Sequence, residues 1–422
     1  MIESLNQTPN MRERMRTLEE SPLDPADKLT LAYLLLIPQK TGALLARAEG
    51  IRDEPPSEKQ QKDFEKEWGT LRTTLNAMHV PYLIDRPLGV QEGVYRYRIV
   101  AAKKERDLQA IRKLINAEET EQIATEQGRL MGYPATAVAA YRTSDAMGTK
   151  SDIPKEEMAR LHAEHLLPFL PFKLSRTHYR EELNRVRLWQ RLIRVHCPQL
   201  YTEIIERDKR EQSIQSIRDA MRNWFDAAGY GIESGIAETV AVLNVAGLLT
   251  RASCEGHVNK GIPSPWIDLG SIDAPEWQFI GEKEIYEDVA LEFGIPLEDV
   301  THSENDEAYN RAIKLVNEAD LSETPEYQAW DLQRTKICEH MAELIEEYRA
   351  EAKPTSGFNP ALHHDRFTIG VDIDPFNTPR WDTMTEQGVE NQKNLLVKRQ
   401  DAMHAFTEWL REQYLRHGKL LT

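Results

Sequence analysis

A thiol, a carboxylate and an imidazole occur within four residues of this sequence, at Cys254, Glu255 and His257. Thiolate and imidazole groups are preferred ligands of zinc, and the same two groups can form a thiolate–imidazolium pair in a nucleophilic enzyme. For such chemistry, Cys254 is a metal ligand or nucleophile, His257 is a ligand or base, and Glu255 is a general acid or base. All three are therefore candidate catalytic residues, and Cys254 and His257 are candidate metal ligands.

The turn that carries these groups lies between two predicted strands. The run LLTRA precedes it and the run PWIDL follows it, and both are typical of short strands bounded by turn residues. Gly256 supplies a backbone conformation that residues with a Cβ atom resist. Ser253, Gly256 and Trp266 are then placed to line a ligand cleft beside the turn.

A metal site at this turn requires further ligands, because a structural zinc ion takes four. Candidate ligands elsewhere in the chain are His302, His363, His364 and Asp372. No second Cys-x-x-Cys or His-x-x-x-His pattern accompanies the turn. The alternative interpretation is structural: a buried, inert cysteine and a hydrogen-bonded histidine in a tight strand-to-loop turn.

The same stretch resembles two groups of proteins. An apolar helix, a strand with threonine, the pattern S-C-x-G-H and a proline–aromatic strand are similar to a module of uncharacterised bacterial and phage proteins. The stretch also resembles the wybutosine-synthesising methyltransferases, whose motif reads T-T-S-S-C-S-G-R. The matching residues are Thr250, Ser253, Cys254 and Gly256, and the differing ones are Arg251, Ala252, Glu255 and His257. This resemblance implies S-adenosylmethionine as cofactor and transfer RNA as substrate.

A predicted helix that ends near residue 196 carries an arginine-rich face. At 100° per residue, five arginines lie on one side of this helix. They are Arg176, Arg180, Arg187, Arg191 and Arg194. No acidic residue lies three or four positions from Arg187, Arg191 or Arg194 to neutralise them within the helix. These three residues are candidate ligands for a phosphate or carboxylate; the alternatives are docking against an acidic part of the chain and a merely solvated face.

The composition is typical of a folded protein from a reducing compartment. Of 422 residues, 40% are hydrophobic and 29% are charged, and three cysteines lie far apart. This spacing argues against a disulfide framework, so we expect a cytoplasmic location. The net charge of −16 argues against nucleic acid as a partner, and no membrane span or signal peptide is predicted.

Hydrophobic periodicity predicts a helix-rich α+β protein with two small, mostly antiparallel sheets joined by a helical segment. The predicted parts are a flexible arm (1–26), a small α/β domain (27–150), a helical segment (151–229) and an α+β domain (230–422) that carries the turn. Within these parts we expect one helix over about 27–48 and a strand over 366–373, where hydrophobic residues alternate.

Three functions follow from these features. The first is a ligand-binding or regulatory protein that holds a small molecule or an anion in a cleft at 250–270. The second is an enzyme that uses Cys254, Glu255 and His257 with a metal or a nucleotide-like cofactor; methyl transfer to RNA is the version that the resemblance implies. The third is an interaction protein that acts through the arginine-rich helix. No P-loop, G-x-G-x-x-G, G-x-S-x-G or kinase motif occurs, which excludes the commonest nucleotide-binding and hydrolase classes.

Overall fold

The protein is an α+β protein made of two compact units, which we call unit 1 (Met1–Lys209) and unit 2 (Arg210–Thr422). A computed structural model describes residues 10–51, 58–85, 94–115, 117, 120–141, 143, 145–147, 152–224, 231–258, 263–270, 274–301, 306–352, 358–364, 366–369 and 384–420. Helices dominate both units, and each unit contains one small antiparallel sheet. The predicted helix-rich α+β class with two small antiparallel sheets is therefore confirmed.

Unit 1 begins with two helices and continues with a three-stranded sheet among further helices. Its elements are α1 (Met11–Glu20), α2 (Pro25–Leu36), β1 (Gly42–Ile51), α3 (Glu58–Ala77), β2 (Tyr82–Asp85), β3 (Val94–Ala102), α4 (Glu105–Ile115), α5 (Glu121–Leu130), α6 (Ala135–Tyr141), α7 (Lys155–Ala163), α8 (Tyr179–His196) and α9 (Pro198–Met221), which continues into unit 2. The strand order is β1-β3-β2. Apolar residues of α1, α2 and α8 join those of the sheet in one core.

Unit 2 is built around a four-stranded sheet of order β4-β5-β7-β6. Its elements are α10 (Ser234–Ala246), β4 (Thr250–Cys254), β5 (Trp266–Leu269), α11 (Glu282–Phe293), α12 (Leu297–Thr301), α13 (Asp306–Glu318), α14 (Pro325–Ala352), β6 (Pro360–His363), β7 (Arg366–Ile369) and α15 (Glu386–His417). The helices α10, α14 and α15 contribute the apolar residues that pack on one face of this sheet. A separate apolar cluster joins α11, α12 and α13.

The two faces of the unit 2 sheet differ in chemistry. Ile267 and Phe367 are paired residues on β5 and β7, and both are fully buried in the core. Because neighbouring residues of a strand point to opposite faces, Trp266 and Asp268 lie on the other face. Cys254 pairs with Trp266, and this register places Cys254 on the same face as Trp266, at the end of β4.

The first 26 residues do not form the predicted arm where the structure describes them. Asn10 caps α1 through a reciprocal pair of hydrogen bonds with Glu13. Met15 and Leu18 of α1 are buried in the core of unit 1. Apolar side chains three residues apart on one helical face thus hold this segment in place, although most of its surface is polar.

The predicted helix over 27–48 is also wrong beyond its first half. α2 ends at Leu36, and β1 begins at Gly42. Pro38 follows the helix, and a proline cannot supply the amide hydrogen that a continuing helix requires. The later leucines belong to β1, where Leu45 is buried in the core. For the predicted strand 366–373, β7 covers 366–369, and positions 370–373 lie outside the described residues.

Along the sequence, the boundary between the two compact units falls within α9 rather than at the predicted boundaries near residues 150 and 229. The helices α7 and α8, assigned from sequence to a separate helical segment, belong to unit 1. The buried side chains of α8 explain this placement, since Val186 and Ile193 share a core with α2. In the described part of the chain, no helix is both long enough and apolar enough to cross a membrane.

Candidate metal centre

The start of α10 and the end of β4 lie side by side in unit 2. α10 contains 13 residues and β4 contains 5, and at rises of about 1.5 and 3.3 Å per residue both are about 17–20 Å long. Gly247 ends α10 with a φ of 98°, a left-handed conformation that glycine adopts readily. The chain then reverses, and the equal lengths bring Glu233, the residue before α10, beside Cys254.

Glu233, Cys254 and His257 form a cluster of three groups that can each bind a metal ion. One ligand atom from each residue lies within 4.8 Å of the other two. Nε2 of His257 lies 2.6 Å from Oε1 of Glu233, which is a short hydrogen bond between an imidazole and a carboxylate. All three residues are half-buried, with side-chain exposures of 23% for His257 and 31% for Glu233, so water reaches the cluster.

Two glutamates exchange roles at the start of α10. Glu233 occupies the position before the helix, but its own side chain does not cap the helix. Instead, Oε2 of Glu255 accepts a hydrogen bond of 2.9 Å from the Gly235 amide in the first turn. Oε2 of Glu233 in turn accepts a hydrogen bond of 2.7 Å from the Glu255 amide. Glu255 therefore ties the turn to the helix, and Glu233 remains directed at His257.

Two glycines are required for this arrangement. A Cβ atom at Gly235 would lie 2.6 Å from Oε2 of Glu255, so a side chain there would displace the capping carboxylate. Gly256 has a φ of 88°, and a Cβ atom there would lie 2.7 Å from the carbonyl carbon of Ser264. The expectation that Gly256 permits a sharp turn is consistent with this geometry. The structure gives Gly256 a backbone role beside the cluster.

The N-terminal half of α15 covers the turn. Nε2 of Gln400 donates a hydrogen bond of 3.0 Å to the carbonyl oxygen of Glu255. Nη1 of Arg399 donates to the carbonyl oxygen of Pro263 at 2.5 Å. These contacts satisfy backbone groups of the loop that no strand pairs with, and they hold the turn against the helix.

The pKa values of Glu233 and Cys254 are shifted in opposite senses. Burial by itself raises the pKa of Glu233, but hydrogen bonds from the Glu255 amide and from His257 outweigh it and lower the pKa overall. Burial raises the pKa of Cys254 to about 11; the negative charge of Glu233 adds to this rise, and a hydrogen bond from the Gly256 amide opposes it. Without a cation the cluster therefore holds a carboxylate beside a protonated thiol.

We predict that Cys254 reacts slowly with thiol reagents when no metal is bound. A thiol pKa of about 11 leaves roughly a hundredfold less thiolate at neutral pH than an ordinary cysteine has, and the thiolate is the reactive form. Peptide mapping of maleimide labelling on the native chain measures this rate. In denaturant Cys254 should regain ordinary reactivity. A native rate equal to that of the denatured chain would contradict the predicted protection.

Trp266 lies on the same sheet face as Cys254, whereas Ser253 does not. The guanidinium of Arg366 stacks 4.1 Å from the centre of the Trp266 ring. The same guanidinium forms two hydrogen bonds with the carboxylate of Asp268, at 2.5 and 2.9 Å, and Asp268 is itself buried. Ser253 pairs with the core residue Ile267, so it lies on the opposite face from the cluster.

The other proposed metal ligands are not part of the cluster. His302 and Asp372 lie outside the described residues. His363 ends β6 on the far side of the sheet from β4, and His364 occupies the turn after it with a φ of 56°. The third member of the described cluster is Glu233, which sequence reasoning missed. In the sequence, the signal that could have identified Glu233 is the match in length between the apolar helix α10, which Glu233 precedes, and the strand β4, which ends at Cys254.

The arginine-rich face of α8 is partly neutralised by other segments of unit 1. Arg187 contacts Glu164 at 2.7 Å and Glu157 at 3.5 Å. The hydrogen bond with Glu164 is the largest cause that raises the pKa of Arg187. Arg191 and Arg194 are exposed to solvent. This geometry agrees with the alternative interpretation, in which the helix docks against acidic parts of the chain. Arg187 makes the contacts of that docking.

Comparisons of the chain with protein-family models, with curated proteins and with solved structures found no match.

Proposed function

We propose that unit 2 binds a divalent transition-metal ion, zinc in particular, through Glu233, Cys254 and His257. The observation that carries this proposal is the convergence of carboxylate, thiol and imidazole ligand atoms within 4.8 Å of one another. Sulfur, nitrogen and oxygen atoms of these residue types are the usual ligands of zinc. A cation would replace the proton shared between His257 and Glu233 and the proton on the Cys254 thiol.

Among the described residues the cluster has three protein ligands, and this number favours a catalytic zinc site over a purely structural one. Structural sites are closed by four protein ligands, whereas catalytic sites keep one position for water or substrate. Zinc bound in this way lowers the pKa of its water and polarises a substrate carbonyl or phosphoryl group. Glu255 caps α10 and holds the turn, which makes it a positioning residue for the ligands. The proposal thus favours the enzyme hypothesis, with Cys254 as a ligand rather than a nucleophile.

A titration with Zn²⁺ in competition with a chromogenic chelator tests this proposal on the full chain. We expect one ion per chain, and we expect the double variant Cys254→Ala/His257→Ala to lose this binding. The matched control is Cys338→Ala/His340→Ala, which changes the same two residue types on α14 of the same unit. The control should bind zinc like the unchanged chain.

Cobalt provides a second readout that does not depend on a variant. Co²⁺ bound by Cys254 should give the near-ultraviolet charge-transfer band of a thiolate–cobalt bond, together with the visible bands of a four-coordinate ion. Binding without the charge-transfer band would show that the thiol is not a ligand. Absence of any stoichiometric binding of either ion would reject the metal proposal.

A second candidate function is the metal-free binding of a small molecule or an anion near Trp266. The observation in its favour is that Glu233 and His257 already satisfy each other at 2.6 Å and that Cys254 is a neutral thiol, so the cluster is stable without an ion. The turn would then be a structural support for a small-molecule or anion site. Failure of the zinc titration, with normal folding of the chain, would favour this function.

A further inference from the structure

Unit 1 contains a cavity that is separate from the proposed metal centre. Its volume is about 810 Å³, and it lies among β1, α5, α6 and the segment 170–173. Small-molecule sites usually have volumes of about 300–1,000 Å³, with mostly apolar walls and a few polar groups. The size of this cavity therefore suits a small organic molecule.

The walls of the cavity are rich in aromatic rings. Tyr133, Tyr141 and Phe172 all contribute to them. The ring centres of Tyr133 and Phe172 lie 5.6 Å apart, and Phe172 also contacts Trp189 edge-on at 5.8 Å. Rings fixed by such contacts present flat, rigid apolar surfaces. A flat aromatic molecule matches these walls better than a flexible chain does.

Two of the helices that line the cavity, α5 and α6, pack closely at its edge. A Cβ atom at Gly128 of α5 would lie 2.5 Å from a methyl carbon of Val138 on α6. These two helices therefore touch closely at the edge of the cavity, where Gly128 and Val138 both line it.

The charge at the cavity is positive. Among the described residues that line it, Lys173 is the one with a formal charge, and its amino group lies 5.6 Å from the ring centre of Tyr141. Behind the wall, the buried Lys40 amino group donates to the carbonyl oxygen of Met131 at 3.2 Å and lies 5.9 Å from the Tyr133 ring centre. Cationic groups in a chain of net charge −16 favour an anionic occupant.

We propose that this cavity binds a flat aromatic anion, with its rings packed against the Tyr133–Phe172 pair and its acidic group near Lys173. The aromatic walls account for the ring system, and the exposed ammonium group accounts for the anionic end. No covalent step is involved.

A pair of fluorescent probes separates the two parts of this proposal. Anilinonaphthalene sulfonate carries the anion, and phenylnaphthylamine is its neutral counterpart with the same ring system. Titration of the full chain should show one site for each probe. Lys173→Gln should weaken binding of the sulfonate probe by about fivefold, as expected for an exposed ion pair. The same substitution should leave the affinity for the neutral probe unchanged. Equal effects on both probes would overturn the anionic assignment.

A matched pair of substitutions tests the location. Ala124→Trp fills the cavity that Ala124 lines and should abolish binding of both probes. Ala139→Trp places the same side chain on an exposed position of α6 and should leave binding intact. Naphthoate should displace the sulfonate probe. Displacement by a long-chain fatty carboxylate alone, or binding that survives Ala124→Trp, would overturn the proposed ligand class or site.

Discussion

Replacement of Glu233 by alanine is expected to weaken Zn²⁺ binding by roughly a hundredfold. Zinc sites with four protein ligands bind with about 10–16 kcal/mol, so one ligand contributes about 3 kcal/mol, and each 1.4 kcal/mol is a factor of ten. The carboxylate also contacts His257 at 2.6 Å and the Glu255 amide at 2.7 Å. The variant therefore loses a ligand and the groups that orient two further residues. Chelator competition measures the change in affinity.

Two further variants separate ligand binding from positioning. Glu233→Gln keeps an oxygen for the Glu255 amide but removes the anionic ligand, so it should preserve the turn and still bind zinc weakly. Glu284→Ala removes a glutamate from the first turn of another helix of unit 2, α11, and should leave affinity unchanged. Wild-type affinity in Glu233→Ala would exclude Glu233 as a ligand.

The affinity for zinc should also rise with pH. The pKa of Cys254 is about 11 without a cation, so the thiol is protonated near neutrality and must release its proton when the metal binds. At pH values well below this pKa, each increase of one pH unit should therefore raise the zinc affinity about tenfold through deprotonation of the Cys254 thiol. The pKa of Glu233 is lowered, so its carboxylate is already ionised and adds no further dependence. Titrations across neutral pH measure this slope, and Cys254→Ala should remove the thiol contribution.

Phe406→Ala is expected to destabilise unit 2 by about 3–5 kcal/mol, the usual cost of removing a fully buried phenylalanine ring. Phe406 lies on α15 with no exposed surface. The centre of its ring lies 5.0 Å from the ring centre of Phe367 and 5.1 Å from the ring centre of Tyr348. The substitution therefore leaves a cavity where α14, α15 and the sheet meet.

Native-state hydrogen exchange is the appropriate measurement, because a chain with two units need not unfold in a single step. The opening free energy of the slowest amides in β5 and β7 should fall by the stated amount. Val397→Ala changes an exposed residue of the same helix and should alter this free energy by less than about 0.5 kcal/mol. If this free energy changed by less than about 1 kcal/mol in Phe406→Ala, the result would contradict the described core.

The spacing of hydrophobic residues along the sequence predicts much of the secondary structure of unit 2. The strand containing Phe367 and Ile369 and the strand before Cys254 lie close to their expected positions. The sequence predicts the secondary structure of unit 1 less well, because most of β1 falls within the helix expected over 27–48. A run of leucines suits a buried helix and a buried strand equally well, and the pairing of β1 with β3 decides between them through contacts that are distant in sequence.

The sequence by itself determined that a thiol and an imidazole share one turn, because Cys254 and His257 are three residues apart around a glycine. It also determined the arginine face of α8, because helical spacing depends on local geometry alone, although Arg176 lies before the helix begins at Tyr179. Only the tertiary structure decided that Glu233 completes the cluster, that Glu255 caps α10, and that Glu157 and Glu164 neutralise Arg187. The physical reason is that such contacts depend on how packed elements match in length and direction, which no local pattern records.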